Sequence, residues 1–270
     1  FNKELIKIFN YNDISGLEKI FKKNKDQIAA IVLEPTHFEK PTNNFLQKVR
    51  KIADSNNSLL ILDEIVTGFR FDLGGGQKYF DVKGDLVCFG KGMANGLPLS
   101  AITGPSEFMK IYDKLWVSST NNSESLSIAG TIATINEMKQ KDTISHCWKI
   151  GSRLMDGWNK IVEQNGIDAK MSGYPIRMEP ICNDLQGNPS LSLKCLIFQE
   201  MIKKGIFLSI LGTTFISYSH SINDVDKTLM ALDQVCQKII STVKNENYEK
   251  YVEGELPKTI WSMKIQPTRV

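Results

Sequence analysis

Asp63 and Lys91 each end an apolar run, and their types and spacing could carry chemistry. The run "LLILDE" ends in two adjacent carboxylates, and "LVCFGK" ends in a lysine set among glycines. A carboxylate can hold a cation or a protonated nitrogen, and a lysine amine can attack a carbonyl carbon. Glu34 ends a third run, "IAAIVLEP", although a single charge is also common where a strand meets a wet loop.

The runs that carry these groups alternate with helical patterns over the first 105 residues. Continuous Val, Ile and Leu runs between helices are typical of parallel strands covered on both faces. We therefore predict an α/β fold whose mostly parallel open sheet has its centre in residues 28–104. Because ligands of such sheets bind beyond the carboxyl ends of the strands, Glu34, Asp63 and Lys91 are expected to converge on one crevice.

The pattern changes after Gly166. "AKMSGYPIRMEPI", "GIFLSI" and "TFISYSH" are typical of strands, residues 192–204 predict a helix, and Ser221 with Asp224 could cap a last helix. We predict a large domain over residues 1–165 and a smaller C-terminal α+β domain over residues 166–270.

Composition excludes several function classes. The net charge of +3 gives no basic surface for nucleic acid or an anionic membrane. The five cysteines include no CxxC pair and the three histidines no metal-ligand spacing, so we expect no metal site and a reducing, cytoplasmic location. No apolar run approaches 18 residues and no signal peptide is evident, although the chain begins at Phe1 and not at Met.

A nucleotide triphosphatase is one interpretation of "LLILDE", because an apolar strand followed by an acidic pair can hold magnesium. It requires a phosphate loop of the form GxxxxGK followed by Ser or Thr. The nearest match, Gly84 to Lys91, has five residues between its glycines and lacks the hydroxyl. It also follows the acidic strand, so the interpretation is disfavoured.

Pyridoxal phosphate (PLP) chemistry is the other interpretation. It requires a lysine amine for a Schiff base and a carboxylate that keeps the pyridine nitrogen protonated. Lys91 suits the first role and Asp63 the second. The glycines beside Lys91 would let a bulky ring approach the backbone.

Several motifs in register carry a family resemblance. "AAIVLEP", "LLILDEIVTGFR" and "LGGGQKYFDVKGDLVCFGKGMANGLPLSAITG" resemble the class III aminotransferases of fold type I, with the greatest likeness to the glutamate-1-semialdehyde aminomutase branch. Their order, the 28 residues from Asp63 to Lys91 and the "TGFR" and "GLP" flanks all agree. The similarity extends from about Tyr11 to the end of the last helix.

The resemblance assigns roles residue by residue. Asp63 would pair with the pyridine nitrogen, and Ile65 would pack against one ring face. Lys91 would form the Schiff base and then act as the general base that moves a proton. "SSTNNSESLSIAGTIATI" resembles the segment that touches the cofactor phosphate of a neighbouring subunit, which implies a homodimer with shared sites and points to Thr120 together with Ser119. The alternative for Thr120 is an ordinary cap region before a helix that begins near Glu124.

The expected function is therefore PLP-dependent transfer of an amino group between an amino donor and a carbonyl compound. Glutamate-1-semialdehyde 2,1-aminomutase activity is the alternative. The family's N-terminal phosphate-binding helix start and its second stacking aromatic have no counterpart here, and loss of a helix N-terminus should weaken anion binding. An inactive relative that serves only as a dimerising or binding module is thus an alternative of another class.

Two further departures concern the substrate. The loop "EPTHFEKPTNNFL" is shorter than in the aminomutase, and "FLSILGTTFISYSHS" lacks its Gln-Phe-Glu stretch. "ISYSHSINDVD" resembles relatives associated with surface polysaccharides, which favours another carbonyl compound such as a keto-sugar. Glu39 is a candidate substrate contact. Arg177 could bind a substrate carboxylate or form a surface salt bridge.

Overall fold

The computed structural model describes residues 5–37, 39–117, 121–210, 212–244 and 248–257. The chain divides into two compact units, Phe1–Ile144 and Ser145–Val270, each with its own core. None of the helices in the described ranges is long and apolar enough to cross a lipid bilayer.

The first unit contains a four-stranded sheet in the order β1-β2-β3-β4. Strands β1 and β2 are parallel, as are β2 and β3, whereas β4 is antiparallel to β3. The strands are β1 Ala30–Leu33, β2 Leu59–Asp63, β3 Leu86–Phe89 and β4 Ala101–Thr103. The prediction of a mostly parallel α/β sheet is confirmed.

Helices connect these strands and cover the sheet. Apolar residues of α1 and α2, among them Leu17, Phe45 and Val49, pack with Leu60 and Leu62 of β2 in one buried cluster. The helices of this unit are α1 Ile14–Lys23, α2 Phe45–Ser55, α3 Gly75–Tyr79, α4 Ser106–Met109 and α5 Ser125–Lys141. Short 3-10 turns lie at Lys91–Met93 and Lys110–Lys114.

The second unit packs three helices around a small antiparallel sheet. Trp158 of α6, Phe198 of α7 and Leu232 of α8 are almost fully buried in its core. Strands β5 and β6 form a hairpin in which Tyr174 pairs with Arg177. The elements are α6 Thr143–Gln164, β5 Ala169–Tyr174, β6 Arg177–Cys182, α7 Leu191–Lys203, β7 Thr214–Phe215 and α8 Ile222–Lys244, with a 3-10 turn at Tyr248–Tyr251.

Two details of this unit differ in outcome. The predicted capping pair is present, because the Ser221 amide donates to Asp224 Oδ2 at 2.9 Å and the Asp224 amide donates to Ser221 Oγ at 3.2 Å. The predicted strand "GIFLSI" is wrong. Leu208 is buried there, but Phe207 is 82% exposed and the segment pairs with no strand in the described part of the chain, so apolar content alone misled the prediction.

The predicted domain boundary between residues 165 and 166 stays a prediction. Helix α6 precedes that boundary, yet its apolar face (Ile150, Leu154, Trp158 and Val162) belongs to the core of the second unit.

Candidate active site

Asp63 is the last residue of β2, at the carboxyl end of a strand in the middle of the sheet. It pairs in register with Cys88 of β3 and is half-buried. Its Oδ1 atom accepts a hydrogen bond from the Ile65 amide at 3.0 Å, which fixes the orientation of the carboxylate. Asp63 therefore presents an oriented negative charge at the sheet edge where α/β proteins bind ligands.

Lys91 follows the neighbouring strand β3 after a single residue, Gly90, and opens a 3-10 turn. Its side chain is exposed, and its backbone has a φ of +42°. Left-handed backbone is sparsely populated by residues with a Cβ and costs energy. Such strain persists where the surrounding fold imposes it, and it is frequent at functional sites.

Ile65 links the segments that carry these two groups. A Cβ added at Gly90 would lie 3.6 Å from Ile65 Cγ2, so the Ile65 side chain lies directly over the residue before Lys91. The turn after β2 is even closer to β3, because a Cβ at Gly68 would lie 2.6 Å from the Phe89 ring. The structure thus brings together a carboxylate, an apolar side chain and a lysine segment at one edge of the sheet.

Glu64 is a residue of this region to which the favoured interpretation of the sequence gave no role. Its side chain is fully buried and accepts hydrogen bonds from the Thr67 hydroxyl and from the amides of Gly76, at 2.7 Å, and Gln77, at 2.6 Å. Burial raises the pKa of Glu64, and these donors partly oppose that shift. The strand period after Leu60 and Leu62 could have indicated that Glu64 lies on the buried face.

Of the remaining candidates, Glu34 lies at the same carboxyl end of the sheet as Asp63, because Leu33 before it pairs in register with Leu62 of β2. Glu34 follows β1 and is half-buried, and Pro35 after it packs near Gly76. Glu39 is exposed and accepts a hydrogen bond from Asn12 Nδ2 at 2.7 Å. Arg177 lies in β6 and is only 3% exposed, so its interpretation as a surface residue is wrong.

Ser119 and Thr120 lie outside the described residues. The helix expected near Glu124 is α5, and Glu124 itself caps it. The carboxylate accepts from the amides of Leu126 and Ser127, each at 2.7 Å. Within the described ranges, no group of three or more His, Cys, Asp or Glu side chains could hold a metal ion.

Comparison with known proteins places these features in a wider context. The family described as "Aminotransferase class-III" matches residues 6–231. A glutamate-1-semialdehyde 2,1-aminomutase of Alkaliphilus oremlandii is 32% identical over 239 residues, which are 84% of this chain and 56% of that protein. A 3-aminobutyryl-CoA aminotransferase of Cloacimonas acidaminovorans is 31% identical over 231 residues, or 83% of this chain and 56% of that protein.

Solved structures show the same fold at lower sequence identity. The PLP-containing form of the FumI protein of Sphingopyxis sp. MTA144 superposes with a TM-score of 0.82 at 22% identity, covering 91% of this chain and 60% of that one. A β-phenylalanine aminotransferase of Variovorax paradoxus gives 0.78 at 20% identity, covering 86% and 57%. The chain therefore spans little more than half the length of the proteins that it matches.

Proposed function

Because the chain belongs to the class III aminotransferase family, we propose that its sheet edge holds pyridoxal 5'-phosphate in an enzyme that transfers an amino group between an amino donor and a carbonyl compound. One observation supports this most directly. Asp63 ends β2, Lys91 follows the adjacent parallel strand β3, and Ile65 packs against Gly90, the residue before Lys91.

The residues present fit the cofactor. When bound, PLP supplies an electron sink that stabilises negative charge on the carbon next to the transferred amine. A ring nitrogen needs a carboxylate partner to stay protonated, and Asp63 is oriented by the Ile65 amide. A ring face needs an apolar neighbour, and Ile65 is available beside Gly90.

Three side chains of this chain would have separate roles. With the cofactor bound, Asp63 would keep the ring nitrogen protonated, Ile65 would cover a ring face and exclude water, and the Lys91 amine would hold the cofactor through its aldehyde group, with water as the leaving group. When free, the Lys91 amine would act as the general base that moves a proton between carbons. We further propose that Thr120, together with Ser119, contacts the phosphate of a neighbouring subunit.

That role for Thr120 implies a homodimer with shared sites, and helix α5 supports it. Its polar Ser127 and Thr131 are buried, whereas Leu126 is 66% exposed and Ile132 57% exposed. An apolar helix face turned outward is typical of a protein interface. We propose a cytoplasmic location because the five cysteines are free thiols, as a reducing compartment would keep them.

The reaction has two candidate forms, aminotransfer to a separate carbonyl compound and aminomutase chemistry within one molecule. The aminomutase of Alkaliphilus oremlandii and the aminotransferase of Cloacimonas acidaminovorans are similarly identical to this chain, so identity does not separate them. The differences around Glu39 and in "ISYSHSINDVD" favour aminotransfer to another carbonyl compound, with a keto-sugar as the first candidate. A non-catalytic relative that only dimerises is the alternative of another class.

An absorbance titration of the chain with PLP tests the proposal. We expect a band of the lysine-bound cofactor, and borohydride reduction followed by peptide mapping should place the label on Lys91. The Lys91→Arg protein should lose the band and the label, whereas Lys110→Arg, which changes an exposed lysine of the same unit, should keep both. An unlabelled Lys91 in a protein that binds PLP would refute its assignment. The absence of any band would favour the non-catalytic alternative for this chain.

A further inference from the structure

Glu64 directly follows Asp63, yet the proposed chemistry gives it no task. Its side chain is 0% exposed, and its two oxygens accept from the Thr67 hydroxyl and from the amides of Gly76 and Gln77. Burying a carboxylate is unfavourable unless such hydrogen bonds compensate for the lost water. An apolar side chain at position 64 would avoid the cost of burying a charge. What the carboxylate contributes there is therefore its three hydrogen bonds.

Glu64 and Asp63 lie on opposite faces of the sheet. Side chains alternate along a strand, and the residues Leu60, Leu62 and Glu64 are all buried at 1% exposure or less. Asp63, between the last two, is half-buried on the other face. The Glu64 amide also donates to Cys88 O at 2.9 Å, which extends the pairing of β2 with β3 past Asp63. Glu64 thus holds the backbone at the end of β2 through bonds on the sheet face opposite to the one that presents Asp63.

The same carboxylate closes the loop that begins at Asp63. Its oxygens join residue 64 to residues 76 and 77, at the first turn of α3. The approach is close, because a Cβ at Gly75 would lie 2.6 Å from Glu64 Oε2, and Gly75 has a φ of +82°. The loop also folds back on its start, where the Gly68 amide donates to Glu64 O at 2.8 Å.

We propose that Glu64 is a positioning residue, which holds this loop so that Asp63 and Ile65 keep the orientation that cofactor binding needs. The inference rests on the proposed function of Asp63 and Ile65. Glu64 itself touches neither substrate nor cofactor. It acts through the backbone at residues 63–65 and through the loop bonds at Thr67, Gly76 and Gln77.

The first measurement uses the chain without cofactor. In Glu64→Gln, an amide NH2 group replaces one acceptor oxygen and faces a backbone N–H that donated before. Thr67→Val removes one donor and keeps the side-chain shape, which gives a milder variant should Glu64→Gln fold poorly. Nuclear magnetic resonance should show the Ile65 and Gly76 amides exchanging about tenfold faster, the change expected for loss of one such bond, together with a changed carboxyl 13C shift at Asp63. Glu18→Gln, at an exposed acid of α1, should change neither.

The second measurement is PLP titration of the same variants at several pH values. We expect weaker binding and a displaced pH profile of the bound-cofactor absorbance in Glu64→Gln and Thr67→Val, and neither effect in Glu18→Gln. Unchanged binding and pH profile in a well-folded variant would overturn the proposal and leave Glu64 a purely structural residue. If the unsubstituted chain binds no PLP, the proposed function fails for this chain. The positioning role of Glu64 is then tested by the Asp63 carboxyl shift and the Ile65 amide exchange alone, and no change in either signal in the Glu64 variant would overturn that role.

Discussion

Lys91 shows how the fold imposes an unfavourable conformation on one residue. Its φ of +42° lies in the left-handed region that favours glycine. The glycines of this segment, Gly90 and Gly92, stand on either side of Lys91 and not at the strained position itself. The 3-10 turn that it opens is closed by the Met93 amide, which donates to Gly90 O at 3.0 Å. A lysine in place of glycine here costs stability, so its presence is consistent with a chemical role that no glycine could fill.

Replacing Lys91 by glycine should therefore stabilise the chain. The left-handed backbone penalty disappears, and part of that gain is offset by the greater freedom of glycine in the unfolded chain, so we expect about 1 kcal/mol. Lys91→Ala keeps the penalty and serves as the control for loss of the side chain. Urea unfolding measures both variants, and equal free energies of unfolding would contradict the strain at this position.

Gly75 shows the opposite case, in which only glycine fits. Gly75→Ala combines a φ of +82° with a Cβ 2.6 Å from the buried Glu64 carboxylate, so we expect a loss of about 3 kcal/mol or more. Gly187 has a φ of +80° with open space around it, and Gly187→Ala should cost only about 1 kcal/mol. A similar loss for both variants in urea unfolding would show that the Glu64 carboxylate can move aside.

Helices α7 and α8 are joined by an ionic cluster around Glu200, whose side chain is 8% exposed. Glu200 accepts from Lys203 of α7 at 2.8 Å and from Lys238 of α8, and Lys203 reaches Glu253, just beyond the 3-10 turn, at 2.6 Å. Burial by itself would raise the pKa of Glu200. The hydrogen bonds from Lys203, Lys238 and Gln199 outweigh it and lower the pKa to about 2.

This cluster predicts a pH dependence of stability. Because the pKa of Glu200 is lower in the folded chain than in the unfolded chain, the stabilisation is complete above the ordinary carboxyl pKa. It is lost as the pH falls from about 4.5 through about 2. After allowance for the solvent-exposed lysines, we expect about 1–2 kcal/mol.

Comparison of Glu200→Gln with Glu163→Gln, an exposed acid of α6, isolates this contribution. Urea unfolding at pH 6 and pH 3 should show a smaller pH-dependent loss for Glu200→Gln than for the unsubstituted chain. Glu163→Gln should behave like the unsubstituted chain. The same loss in all three proteins would refute the role of the cluster.

Across the whole molecule, the five cysteines differ in how deeply they are buried. Cys182, Cys195 and Cys236 are buried in the second unit, and burial raises the pKa of Cys182 and of Cys236 to about 12. Cys88 and Cys147 are half-buried. Burial, and then the Asp63 charge, raise the pKa of Cys88.

Thiol reactivity should report this difference. With a disulfide reagent at pH 8, the three buried cysteines should stay unmodified until the chain unfolds, because a thiol with a raised pKa forms little of the reactive thiolate. Cys147 should react first, and Cys88 more slowly because of its neighbour Asp63. Mass mapping of each cysteine over time tests the order, and early labelling of Cys236 would show that the second unit opens readily.

The outward apolar face of α5, with Leu126 and Ile132 exposed, predicts that copies of the whole molecule assemble through this helix. Ile132→Glu places a charge on that face and should move the sedimentation coefficient from dimer towards monomer. Lys48→Glu, at an exposed lysine of α2, changes charge on another helix and should leave assembly unchanged. A monomer in the unsubstituted chain would refute the homodimer.

The sequence by itself determined the α/β class, the parallel strands and the placement of Asp63 and Lys91 at strand ends. These follow from local patterns, since a continuous apolar run between helices and a polar residue at its end depend on neighbours along the chain. The motifs also carried the family, which residues 6–231 confirm. The roles of Asp63, Ile65, Lys91, Ser119 and Thr120 stay predictions.

Only the tertiary structure decided the rest. It showed that "GIFLSI" pairs with no strand among the described residues, that Arg177 is buried, and that Glu64 binds amides twelve and thirteen residues away. Each depends on which distant segment arrives beside a residue, and a hydrogen bond to Gly76 leaves no pattern near Glu64 in the chain. Position along a strand can be read locally, whereas the partner of a buried polar group is fixed by the packing of the whole domain.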